Sequence, residues 1–180
     1  RVYVNETKVQ RPETKLDPGR DQVTLDGEQI IYEQFCYYML NKPAGVVSAT
    51  TDREHKTVID LLQEANTQDV FPVGRLDIDT EGLLLLTNDG ALAHDLLSPR
   101  KHVDKTYFVR IAGNLSDADV KQLEQGMDIG DEKLTLPAKV SCLEQFPEEQ
   151  EQTVMIKLRE GRYHQVKRMF AKVGHPVLYL

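Results

Sequence analysis

Tryptophan is absent from this chain, cysteine occurs only twice, and no apolar run approaches the roughly 18 residues of a membrane span. Each absence excludes something. Without Trp there is nothing that resembles a sugar groove. Cys36 and Cys142 lie too far apart for a metal or redox spacing, so a reduced, cytoplasmic chain with no membrane partner is expected. No signal peptide opens the sequence, and with no initiator Met it is expected to begin inside a longer protein. There is no GxSxG, P-loop, GxGxxG or HExxH motif. His55, His94, His102, His164 and His175 show no metal spacing and read as surface or packing histidines. Neither metal nor cofactor is expected, which favours a reaction without redox change or a group carrier.

What is present is an ordinary globular composition, 40% apolar and 28% charged over 180 residues, enough for one good core or a core with a small appendage. The formal charge of −7 argues at first against a nucleic-acid partner. Its distribution reverses that impression. Residues 117–151 hold ten acids against three bases and account for the whole net charge. Elsewhere, Lys157, Arg159, Arg162, Lys167, Arg168 and Lys172 face only Glu160, and Arg100, Lys101, Lys105 and Arg110 face only Asp104. A single such run is usually a solvated face. Two of them flanking tyrosines point to a polyanion.

Residues 1–31 read as short strands, Val2–Val4, Val23–Leu25 and 29–31, with Asp26-Gly27 as a hairpin dipeptide. Further strands are predicted at 37–40, 46–48, 71–76, 83–87, 106–111, 139–143 and 153–158. A short helix is predicted at 57–62. Longer ones are Gly90–Leu97, capped by Asn88 or Asp89, Asp117–Gln125, capped by Ser116, and 162–173, which has Val166, Met169, Phe170 and Val173 on one face. Strands and helices alternate without a βαβ rhythm. The predicted fold is therefore α+β, a mixed, mainly antiparallel sheet with flanking helices.

The most informative stretch is GRLDIDTEGLLLLTNDG, residues 74–90. It sets the acidic loop Asp77-Ile78-Asp79-Thr80-Glu81-Gly82 against a strand, and a strand gives a reacting carboxylate stiff support. Three chemistries compete. A calcium loop would place Asp77, Asp79 and Glu81 at its first, third and fifth positions, but its twelfth is Asn88 instead of Glu. A glycosidase pair of Asp77 and Asp79 would need the loop to curl, since i and i+2 on an extended segment point apart. A single nucleophilic carboxylate, Asp77, has Arg75 nearby and the Tyr107 and Arg162–Met169 segments as company.

GRLDIDTEGLLLLTND, KTYFV and EGRYHQVKRMF, in this order with LNKPAG upstream, resemble the pseudouridine synthases that modify ribosomal RNA, and in detail the branch acting on small-subunit (16S) RNA. Residues 1–33 are similar to the last strands of an S4-type RNA-binding domain without its helical start, and 34–180 to the catalytic domain, stopping before further closing strands. The resemblance implies a monomeric enzyme that turns a uridine of ribosomal RNA, free or in an assembly intermediate, into pseudouridine. Asp77 matches the catalytic nucleophile, Lys167 the cation that keeps it ionised and oriented, with Arg168 in reserve, and Tyr107 the ring that stacks on the flipped base. Arg75 would fill the vacated stack. Lys42, Arg100, Lys101, Lys105, Arg162 and Arg168 would hold phosphates. The alternative is a non-catalytic S4-type ribosomal RNA-binding protein.

Overall fold

The computed structural model describes residues 1–30, 34–62, 69–98, 101 and 103–180. They form two compact units, 1–36 and 37–180. The first is a four-stranded antiparallel sheet of β1 (Val2–Val4), β2 (Thr7–Lys8), β3 (Val23–Leu25) and β4 (Glu28–Ile30), in the order β2-β1-β3-β4. Both of its hairpins turn on paired positive-φ residues, Asn5-Glu6 and Asp26-Gly27. Two such residues match the right-handed twist of the flanking strands. Asn5 also locks the sheet by donating to Asp21 and accepting from the Gln22 amide. Strand β2 is an addition to the strands predicted.

In the second unit, β5 (Tyr37–Lys42), β6 (Phe71–Pro72) and β7 (Gly82–Thr87) make a three-stranded sheet with β7 central. After helix α1 (Gly90–Leu97), the chain builds a second sheet. Its strands β8 (Lys105–Ala112), β9 (Lys139–Phe146), β10 (Glu151–Leu158) and β11 (Val177–Tyr179) take the order β11-β8-β10-β9. Helices α2 (Asp117–Gln125) and α3 (Gln165–Lys172) complete the unit. Every paired strand is antiparallel, which bears out the α+β, mainly antiparallel reading.

The core is built by periodicity. Val109 and Ile111 of β8 and Val154, Ile156 and Leu158 of β10 alternate inward, and Leu123, Val166, Met169 and Phe170 close over them from α2 and α3. Each such side chain contributes about 1.5–3 kcal/mol on burial. Helices α1 and α2 begin where the caps put them: Asp89 accepts from Leu92, and Ser116 and Asp119 form a reciprocal capping box.

Four expectations shift. The helix predicted at 57–62 is one 3-10 turn, Ile59–Leu61. Residues 46–48 form only an isolated bridge, Val47 to Thr57. The strand predicted at 71–76 stops at Pro72, because Gly74 takes a positive φ of 91° and the chain leaves the ladder. The helix predicted from 162 begins at Gln165, because His164 sits in the left-handed region at φ 47°, ψ 35°.

Candidate active site

The loop between β6 and β7 presents Asp77, and nearly every restraint on it is a backbone bond. Ser48 both donates to the Leu76 carbonyl (2.9 Å) and accepts from the Leu76 amide (3.1 Å). The Gly45 amide donates to the Ile78 carbonyl (2.7 Å), and the Thr80 amide closes a turn onto the Asp77 carbonyl (3.1 Å). Beyond the turn, the Glu81 amide reaches the Leu180 carbonyl, and the Tyr179 hydroxyl donates to Glu81 Oε2 (2.8 Å). The end of the chain thereby braces the same loop.

Lys42, at the end of β5, is the centre of this scaffold. Its side chain is fully buried and its ammonium donates to the carbonyls of Pro43 (3.0 Å), Ile78 (3.3 Å) and Thr80 (2.8 Å). Burial lowers its pKa, while the charges of Asp79, Asp77 and Glu81 pull it back up. The expectation that Lys42 holds a phosphate is therefore corrected: no phosphate reaches a buried ammonium already shared among three carbonyls. It holds the loop from beneath.

The turn brings two acids to one cation. Lys167, in the first turn of α3, places Nζ 3.3 Å from Asp77 Oδ2 and 2.5 Å from Asp79 Oδ1. The curl that an extended segment would forbid is present, made by the Thr80-to-Asp77 turn. The Asp79 carboxyl is held below the usual range, first by the Lys167 hydrogen bond. For Lys167, burial alone would lower the pKa, but the Asp79 bond and the charges of Asp77 and Asp79 outweigh it and the net direction is up. The lysine is a cation at neutral pH.

Tyr107 lies on β8 opposite Ile156, half-buried against the core. Its pKa is raised, first by burial and then by the charge of Asp77. Two things follow: Tyr107 lies within electrostatic reach of Asp77, and its hydroxyl keeps its proton at neutral pH. Asp77 and Lys167 thus meet from a loop and a helix, and Tyr107, on β8, feels the charge of Asp77.

The remaining cations divide. Arg75 is exposed beside the loop. Arg168 turns away from Asp77, donating to Asp131 (2.8 and 3.2 Å) and to the Ile129 carbonyl (3.1 Å). Arg162 binds Glu160, Asp131 and the carbonyls of Lys133 and Leu134. Both arginines are tied into the protein, with less than a third of each side chain exposed. Lys101 is exposed, 3.4 Å from Asp95, and Lys105 is half-buried, donating to the Val103 carbonyl. Arg100 lies outside the described residues. Among the described residues, no group of three His, Cys, Asp or Glu is placed to hold a metal, and no helix is long and apolar enough to cross a membrane.

The sequence singles out no histidine for the site, and the structure brings one to it. His164 puts Nε2 3.5 Å from Asp77 Oδ1 and stacks on Tyr163. Its ring is part-exposed and packed on Tyr163, as the surface or packing reading expects, and it also faces the Asp77 carboxylate.

The family model for RNA pseudouridylate synthase matches residues 36–172. The chain is 42% identical, over its full length and 74% of the relative's, to the ribosomal small subunit pseudouridine synthase A of Yersinia pestis. It is 38% identical to the ribosomal large subunit pseudouridine synthase B of Bacillus subtilis (strain 168), across 90% of this chain and 66% of that one. A solved pseudouridylate synthase superposes on 99% of this chain and 74% of its own, with a TM-score of 0.71 at 32% identity. A carboxylate on a braced turn, a lysine facing it and a tyrosine within reach of its charge stand within a matched segment that spans most of the sequence, and the chain belongs to the RNA pseudouridylate synthase family.

Proposed function

We propose that this protein converts a specific uridine of small-subunit (16S) ribosomal RNA to pseudouridine, with Asp77 as nucleophile and without metal or cofactor. The observation that carries the reading is Lys167 facing Asp77 on its braced turn, with the Asp77 charge felt at Tyr107. The 42% identity to a small-subunit enzyme supports the choice of RNA.

The reaction is an isomerisation. The bond from ribose C1′ to uracil N1 breaks, the base turns, and C1′ bonds to C5. The C5 proton is lost and N1 gains one, so atoms balance without a co-reactant. A positioned carboxylate divides this into two easier steps, whether it attacks sugar or base. Lys167 balances and orients the Asp77 charge. The target base must leave its stack, at a cost of a few kcal/mol. Tyr107 receives it: a neutral, half-buried ring offers a flat apolar face worth about 1–3 kcal/mol. With its pKa raised by burial and the Asp77 charge, the Tyr107 hydroxyl is protonated at neutral pH and can donate a hydrogen bond. Arg75, exposed two residues before the nucleophile, fills the space the base leaves, and Lys101 and Lys105 meet phosphates. Residues 1–33 serve as the strand portion of an S4-like RNA-binding domain, and the enzyme acts as a monomer.

Large-subunit RNA is the second reading, favoured by the 38% relative. Incubating the protein separately with small- and large-subunit transcripts and mapping pseudouridine decides between them. A single new site in the small-subunit transcript, absent with Asp77→Asn, is the expected result. Modification of the large-subunit transcript alone overturns the choice of RNA, and turnover by Asp77→Asn overturns the nucleophile.

A further inference from the structure

Tyr163 is the most exposed tyrosine ring beside the site, 72% accessible, and it does not hang free. Its ring lies parallel to that of His164, centroids 3.9 Å apart and planes at 16°. His164 in turn reaches Asp77 at 3.5 Å. An exposed aromatic alone is unremarkable on a protein surface. This one is built in. His164 adopts a left-handed backbone that costs a non-glycine residue free energy, and such conformations persist where surrounding structure enforces them. Here the enforcement comes from Gln165, whose amide donates to the Arg162 carbonyl and whose side chain accepts from the Arg162 amide. Gln165 is itself buried and also donates to Glu160. The turn 162–165 is closed from both sides, and its product is a two-ring stack with one tyrosine face covered by imidazole and the other open.

We propose that the open face of Tyr163 is a second base-binding site, taking the nucleobase adjacent in sequence to the target uridine. The inference rests on the proposed RNA substrate. A base stacks on an aromatic face whatever its identity, so the platform fixes the register of the strand and leaves the choice of base to other contacts. Separated from Asp77 by the single stacked ring of His164, it holds the flanking nucleotide while the target is turned out toward Tyr107. With the turn held in this shape by Gln165, the His164 imidazole lies against both Asp77 and the Tyr163 ring.

The test uses two single-stranded RNA nonamers with a central uridine, one carrying 2-aminopurine on the 5′ side and the other on the 3′ side. Wild type and Asp77→Asn are expected to quench one probe on binding. Tyr163→Ala is expected to lose the quenching and to bind about 5- to 100-fold more weakly, while Tyr163→Phe keeps both. On small-subunit transcript the same Tyr163→Ala loss should fall on KM, with kcat within about twofold. Equal quenching by wild type and Tyr163→Ala, or a kcat loss at unchanged KM, overturns the platform. The two readings separate cleanly. Absence of pseudouridine with Tyr163-dependent quenching sinks the proposed reaction and supports the platform. Pseudouridine formation without Tyr163 dependence sinks the platform alone.

Discussion

Helix α3 grips two acidic loops with adjacent residues, and the two grips differ in kind. Lys167 faces Asp77, and Arg168 faces Asp131. The Asp131 carboxylate takes two bonds from Arg168, at 2.8 and 3.2 Å, with Arg162 further off at 3.4 Å. Asp77 has Lys167 at 3.3 Å and His164 at 3.5 Å, both beyond ordinary hydrogen-bond length. Its order comes from the backbone on either side, through Ser48, Gly45, Lys42 and the Thr80 turn. A structural acid is fixed by its own oxygens. A reactive acid is fixed by its main chain, so that its oxygens stay available.

The contrast breaks most sharply at the acids themselves. Asp77→Asn should lower kcat at least about 10⁴-fold, the scale of removing a nucleophile, with an unchanged melting temperature. Asp131→Asn should do the reverse, leaving kcat within about twofold while lowering the melting temperature, because Arg162 and Arg168 lose a shared partner. Pseudouridine formation and thermal melts on the same two variants check both halves.

Next comes the scaffold. Lys42→Met fills the same space but leaves the buried Thr80 carbonyl without its donor, at about 1–3 kcal/mol, while the Ile78 carbonyl keeps the Gly45 amide. A loss of about 1–3 kcal/mol in urea unfolding and about 10²-fold in kcat are expected, since displacing a reacting group by an ångström costs on that order. Full activity in Lys42→Met would mean that the loop holds its shape without the ammonium. Lys167→Met should likewise cost about 10²-fold in kcat, whereas Arg168→Lys, one residue on, should change stability more than turnover. Tyr107→Phe keeps the ring, and only a few-fold loss is expected. A loss as large as that of Tyr107→Ala would assign the hydroxyl an essential part.

Local signals in the sequence were readable, and tertiary ones were not. Helices α1 and α2 could be bounded because Asp89 and Ser116 with Asp119 cap them through neighbours three residues away. Asp77, Lys167 and Tyr107 could be singled out as candidates because each sits in a motif that resembles its family. Lys42 was misassigned because nothing in LNKPAG indicates that the chain will return 36 residues later to lay Ile78 and Thr80 carbonyls over it. Arg162 and Arg168 were counted as free cations because their acid, Asp131, lies some 30 residues upstream in the segment taken to be a separate acidic surface. The start of α3 was misplaced because the αL residue that ends the turn is a histidine, not the glycine that would announce one.

The smallest effect separates Asp79 from Asp77. Asp79 is mostly exposed, and its carboxyl is held below its ordinary 3.8, chiefly by Lys167. A depressed carboxylate contributes stability that is present above 3.8 and lost as the pH falls through its lower folded value. Lys167, raised above 10.5, contributes below that pH and loses its contribution as the pH rises through the higher folded value. Wild type and Asp79→Asn should therefore differ by a small, constant margin in urea midpoint between about pH 5 and 9. The margin should vanish in acid below 3.8, and it should shrink in alkali only beyond 10.5. Turnover should respond differently: with Asp79 neutral, Lys167 turns wholly to Asp77, and kcat should stay within about threefold of wild type, where a second essential carboxylate would cost orders of magnitude. A margin that persisted undiminished at pH 3 would mean that Asp79 is held by something other than its charge.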